Sequence, residues 1–144
     1  EEVFDNLMSR LKSDNSYQRS IGMMLLCNLA KSDKDKKINK ALSDILQLFD
    51  DEKFITRRQT IRNIWKIAVT KKELSKKIVE SLMKKYNNCV AEEHYNLIRL
   101  DIITALHLIY LNNADSCPLS LITDLIEIED DIKLRKKYKA CLKK

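Results

Sequence analysis

The segment DEKFITRRQTIRNIWKIAV, residues 51–69, sets two adjacent arginines, Arg57 and Arg58, between an acidic pair and a tryptophan. Guanidinium groups placed like this can grip phosphate or carboxylate in a bidentate fork, or sit inside a helical interface held by carboxylates of their own chain. Arg62 and Lys66 follow Arg58 at intervals of four, which makes one positive stripe along a helix. Other chemistry has less to work with. Cys27, Cys89, Cys117 and Cys141 nowhere form a C-x-x-C spacing, and His94 and His107 have no second ligand close by. No metal or redox motif results, and no cofactor is expected. P-loop, G-x-S-x-G, H-E-x-x-H and EF-hand patterns are all missing, and no close carboxylate pair accompanies a nucleophile, so a non-enzymatic protein is expected. Cys89, near a turn, reads as an exposed thiol without an activating neighbour.

Composition narrows the fold that must position these residues. One glycine and one proline in 144 residues cannot supply the turns of a hairpin-rich sheet protein. A hydrophobic share of 44% with 33% charged residues suits a folded helical chain. The longest apolar run, Met23 to Cys27, is far short of the roughly 20 residues of a membrane span, and no membrane partner is expected. The acidic start lacks signal-peptide shape, and a core of this size needs no disulfides, which favours a reduced, cytoplasmic setting. Glu1 in place of methionine fits a trimmed or excised region. The net charge of +6 is unevenly spread: residues 51–90 hold eleven bases and four acids, residues 115–131 six acids and no base, and residues 133–144 seven bases and no acid.

Apolar residues recur with helical period almost throughout. The spacing predicts helices over about Val3–Lys12, Ser16–Lys31, Lys37–Phe49, Phe54–Thr70, Glu73–Tyr86 and Glu92–Leu111. A seventh is capped by Ser116, with Pro118 in its first turn, and ends near Glu129. The last is capped by Asp130 or Asp131 and runs to about Leu142. Their even-numbered members share a pattern. Asp14 precedes Arg19 by five residues, Glu52 precedes Arg57 by five, and Asp130 precedes Arg135 by five; before Arg99 that place is taken by His94, next to Glu93. The four arginines are spaced 38, 42 and 36 residues apart. Ile61, Ile64 and Ile67 after Arg57 correspond to Ile103, Leu106 and Ile109 after Arg99.

On these residues the chain resembles the HEAT-repeat family, helical hairpins of about 40 residues stacked into a solenoid. The resemblance implies an all-α, right-handed solenoid of four hairpins in a single domain over residues 1–144, with repeats near 1–33, 34–71, 72–113 and 114–144. It also implies that the recurring acid and arginine (Asp14 and Arg19, Glu52 and Arg57, Arg99, Asp130 and Arg135) tie neighbouring units together. The copy carrying His94 departs from the pattern, so its turn is expected to be built differently.

At about 100° per residue, Phe54, Ile61, Ile64, Trp65 and Ala68 fall on one stripe, with Arg57 inside it. A charge there needs hydrogen-bonding partners, and Glu52 and helix-end carbonyls are the expected ones. Arg58, Arg62 and Lys66 fall on the solvent shoulder. They form either a ligand-facing stripe on the concave side, where the resemblance places the second helix of each hairpin, or a solvated face paired with acids such as Asp101. Trp65 and its counterpart His107 read as packing residues, and Tyr95 and Tyr110 as packing or rim residues. Lys71, Lys72, Lys76, Lys77, Lys84 and Lys85 read as a solvated outer face.

A scaffold that binds a protein or peptide through its concave face is the leading expectation, because stacked hairpins offer an extended surface without catalysis. The other is nucleic-acid binding in a basic groove, as the similar HEAT-like alkylpurine DNA glycosylases do, although no active-site acid beside an exposed aromatic pair matches theirs. A fragment of a longer solenoid is the third.

Overall fold

The computed structural model describes residues 2–143. They form eight helices, one of them kinked, and no strand. These are α1 (Glu2–Arg10), α2 (Ser16–Asn28), α3 (Lys37–Gln47), α4 (Phe54–Asn63) with its continuation α5 (Trp65–Thr70), α6 (Lys72–Asn88), α7 (Tyr95–Asn112), α8 (Leu119–Ile128) and α9 (Ile132–Cys141).

Local chemistry accounts for most boundaries. Asn15 Oδ1 accepts the Tyr17 amide to cap α2, and Asp131 Oδ1 accepts the Lys133 and Leu134 amides to cap α9. Helix α7 starts at Tyr95, later than the periodicity predicts, because His94 takes a left-handed conformation with φ 58°. Ser116 does not cap α8; it accepts a hydrogen bond from Asn113, and Pro118 stands at the cap position in extended backbone. The sequence predicts one straight helix over 54–70, but the ladder breaks at Ile64. Thr60 Oγ1 donates to the Thr56 carbonyl, Asn63 Nδ2 donates to that of Gln59, and the Ile67 amide tightens onto Ile64 O.

Helix α2 lies against α1, α4 and the start of α5; α4 and α5 lie against α7, and α7 against α9, so these helices make one continuous row. Helix α6 covers α5 and α7, α8 covers α7 and α9, and α3 meets α6 and the 3-10 turn Leu48–Asp50. One core runs the length of the row, through Met23, Leu26, Ile38, Ile45, Ile61, Ile64, Ile67, Ile78, Leu82, Ile98, Ile102, Leu106 and Ile126. Each side chain of this size stabilises by about 1.5–3 kcal/mol when fully buried. The only glycine sits where α1 crosses α2: a Cβ on Gly22 would lie 2.9 Å from both Arg10 Cβ and the Leu7 carbonyl oxygen.

Candidate functional site

The recurring arginines stand along the row and reach across it. On α2, Arg19 holds both carboxylate oxygens of Asp51 at 2.8 and 3.0 Å and the Ser13 carbonyl at 2.8 Å. On α4, Arg57 donates to the Asp51 carbonyl at 2.7 Å and faces Glu92 as an ion pair at 3.3 Å that lacks hydrogen-bond geometry. On α7, Arg99 donates to the Tyr86 carbonyl and to Glu129, each at 3.1 Å, while its guanidinium lies over Tyr86 and Tyr95. Arg19 and Arg57 each take a carbonyl in the turn before their own helix and Arg99 one in the last turn of α6, and each of the three meets a carboxylate at the next turn along the row.

The acids are not those that the five-residue spacing indicates. Among the described residues Asp14 is exposed and receives no ion pair, Glu52 pairs with Arg19 at 3.6 Å and not with Arg57, and Asp130 is exposed. The working acids, Asp51, Glu92 and Glu129, stand six, seven and six residues before the local arginine and form ion pairs with the preceding one. A carboxylate at the turn points along the row toward the previous hairpin, away from the arginine of its own helix. An acid six or seven residues before each of Arg57, Arg99 and Arg135 is the sequence signal for these pairs. Arg135 reaches back to exposed Glu127 at 3.4 Å.

Two lysines with buried ion pairs overturn the reading of a uniformly solvated lysine face. Lys72, Lys76, Lys77 and Lys84 are exposed, but Lys71 is buried against Asp33 at 3.0 Å. Lys85 is buried and bridges Asp50 at 2.7 Å and Glu92 at 2.6 Å. Cys89 is likewise fully buried, and burial raises its pKa. Burial also pushes Cys27 up to about 12 and Cys117 up to about 11, so none of these three supplies a thiolate nucleophile. His107 is buried and stacks on Tyr110, with neither ring nitrogen hydrogen-bonded among the described residues. Among the described residues no group of three or more His, Cys, Asp and Glu could hold a metal ion, and no helix is long and apolar enough to cross a membrane.

The stripe Arg58–Arg62–Lys66 divides three ways. Arg58 grips buried Asp101 of α7 through two bonds of 2.7 and 3.1 Å, and it shares the Phe54 ring with Arg57. Lys66 donates to Asn28 of α2 and to Asn63. Arg62 is exposed and has no ion pair or side-chain hydrogen bond among the described residues. The two end members therefore hold the row together, and the middle one is left to solvent.

Sequence periodicity did not reveal a cleft of about 670 Å³ between α2 and α4, lined by Tyr17, Ile21 and Met24 on one side and Phe54, Ile55 and Gln59 on the other. Tyr17 and Ile55 are 76% and 68% exposed at its mouth, far more than packing residues would be. Lys53 stands at its rim. A shorter cleft further along α2 is lined by Trp65 and Lys66.

The buried carboxylates carry a pH dependence. Burial works against ionisation of Glu129, but bonds from the Asp131 amide, Tyr138, Arg99 and Tyr95 outweigh it and leave its pKa below the ordinary glutamate range. In Asp33 the same burial cost is outweighed by the Ile38 amide, Lys71 and the Lys37 amide, and in Asp51 by Arg19 and the Lys53 amide. A carboxyl whose folded pKa is depressed stabilises the fold above its unfolded value, about 4, and that stabilisation is lost as pH falls toward the folded value. The melting temperature is therefore expected to fall progressively below about pH 4, and Glu129→Gln to flatten that acid limb. Parallel acid limbs for the two proteins would show that Glu129 is not held ionised by its partners.

Comparison with known proteins returns nothing for this chain: no family model, no curated protein and no solved structure matches it.

Proposed function

We propose that this chain is a non-catalytic scaffold of the HEAT-like kind, a right-handed α-solenoid that works in the cytoplasm and binds an acidic protein or peptide segment along its concave face. The continuous row of α2, α4–α5, α7 and α9, tied by forward-reaching arginines, supports the solenoid part of this reading. The observation that carries the binding part is the α2–α4 cleft, where exposed Tyr17 and Ile55 flank an apolar floor. Isolated apolar residues on a surface are ordinary, but two large ones at the mouth of an apolar cleft are the arrangement of an anchoring pocket. Lys53 at the rim and Arg62 further along α4 suit acidic residues beside the anchor. The nucleic-acid reading loses the contiguous stripe on which it rested, since Arg58 and Lys66 already have partners within the chain.

Selection from a displayed peptide library tests the proposal. The peptides recovered should share a large apolar residue next to Asp or Glu. Ile55→Asp should weaken their binding by at least about tenfold, in line with loss of an anchor, without lowering the melting temperature. Equal binding by Ile55→Asp, or recovery of basic peptides, would overturn it.

A further inference from the structure

Helices α3 and α6 turn toward each other stripes that a closely packed helix pair would make apolar, and here both are largely polar. On α6, Lys77, Ser81, Lys84 and Asn88 follow at steps of four, three and four, so they share one face. On α3, Asn39, Ser43 and Gln47 do the same at steps of four. The two stripes do not close on each other. They form the walls of a cleft of about 550 Å³, which Leu46 and Phe49 also line. That volume is within the range of small-molecule sites.

Among the described residues the side chains of Asn39, Ser43, Gln47, Lys77, Lys84 and Asn88 make no hydrogen bond or ion pair. Asn39 Oδ1 is in addition shut off from solvent. A sheltered acceptor left unbonded is costly, and a donor entering the cleft removes that cost. Three lysines and one carboxylate set the charge of the lining. The carboxylate, Asp50, is already bridged by Lys85 at 2.7 Å, which leaves Lys77 and Lys84 as the unpaired cations. Seven residues apart on one helix, their Cα atoms are separated by about 10 Å, so two long side chains can converge on a single anion. The cations all stand on the α6 wall. The α3 wall offers two carboxamides and a hydroxyl, groups that both donate and accept. An acidic peptide would leave these neutral groups idle, whereas a phosphate carried on a hydroxyl-rich body uses both walls.

We propose that the α3–α6 cleft binds a phosphorylated sugar, its phosphate between Lys77 and Lys84 and its hydroxyls on Asn39, Ser43 and Gln47. The cleft shares no lining residue with the one between α2 and α4, so the inference does not depend on what binds there.

Titration of the isotope-labelled chain, followed by amide NMR shifts, tests this. The probes are a panel of pentose and hexose monophosphates, the same sugars without phosphate, and inorganic phosphate. At least one sugar phosphate should shift amides over residues 39–47 and 77–88, and should bind about tenfold or more tighter than inorganic phosphate and than its own free sugar. Lys77→Gln and Lys84→Gln should each weaken it by about tenfold, as for loss of one charge-assisted bond. Both lysines are exposed and unpaired, so neither variant should change the melting temperature. Asn39→Ala should weaken the same ligand by about threefold or more without lowering the melting temperature of the free chain, because the oxygen it deletes has no partner there. A merely structural Asn39 would do the reverse. A panel without a binder overturns the proposal. So do affinities equal to that of inorganic phosphate, shifts confined to other helices, and lysine variants that bind like the wild type.

Discussion

Arg99→Ala is expected to lower the melting temperature by roughly 10 °C, from a loss of about 3–5 kcal/mol at about 2–4 °C for each kcal/mol in a chain of this size. The cost comes less from the lost bonds than from what remains. Glu129 is only 2% exposed, and it takes one bond from Arg99, two from the hydroxyls of Tyr95 and Tyr138 at 3.1 and 3.0 Å, and one from the Asp131 amide at 3.2 Å. Without the guanidinium, its negative charge stays buried among neutral donors. The Tyr86 carbonyl loses its side-chain donor as well, and the gap between Tyr86 and Tyr95 is left unfilled. Arg99→Lys should recover only part of the loss, because an ammonium cannot reach the carbonyl and the carboxylate together while lying flat on two rings. Thermal melts of the three proteins decide the point. A drop of less than a few degrees for Arg99→Ala would mean that Glu129 is not an obligatory partner.

Asp33→Ala is expected to cost a similar amount, about 3–5 kcal/mol, through a different mechanism. Asp33 follows the 3-10 turn Ala30–Ser32. It accepts the Lys37 and Ile38 amides at 2.8 Å each, which closes the first turn of α3, and it takes the buried Lys71 ammonium at 3.0 Å. Loss of the cap alone costs about 1 kcal/mol. The rest is the penalty of a buried ammonium without its counter-ion. Denaturant unfolding separates the two parts. Asp33→Ala with Lys71→Met should recover most of the charge term and leave only the cap deficit. If the double variant is no more stable than the single one, Lys71 finds another partner and the assignment fails.

These two sites show what could be read from the chain. Helical period, the scarcity of glycine and proline, and polar breaks such as Ser13–Asn15 place the helices to within a few residues, because each of these acts over one or two turns of backbone. The interruption at Ile64 escaped the periodicity, since the apolar spacing runs through it unchanged. The recurrence of Arg19, Arg57 and Arg99 was visible as well; their carboxylates were not. Asp51 and Glu52 are neighbours, as are Glu129 and Asp130, and the five-residue spacing points in each case to the one closer to the arginine, which is not the one that pairs across the row. Which of the two faces the preceding hairpin depends on how adjacent helices cross, and that angle is set by core packing and has no local signature.

The same limit governs the charged surface. Lys71 and Lys72, or Lys84 and Lys85, are identical in type and adjacent in sequence, yet one of each pair is buried in an ion pair and the other is in water. Arg58, Arg62 and Lys66 share a face, but Asp101 is 43 residues away from the first of them and Asn28 is 38 away from the last. The amino-acid sequence alone determined the all-helical character, the approximate helix ends and the period of its arginines. All of these follow from interactions between residues within a few positions of one another. Of the stripe read over 54–69, Ile61, Ile64 and Ala68 are buried, but Phe54, Arg57 and Trp65 are only half-buried, and Thr56 and Thr60 take their place in the core. The acid each arginine meets, the lysines that leave solvent and the cleft between α2 and α4 were decided only when the helices packed. Such contacts join residues some thirty to forty positions apart, and their partners are chosen by the geometry of the shared core.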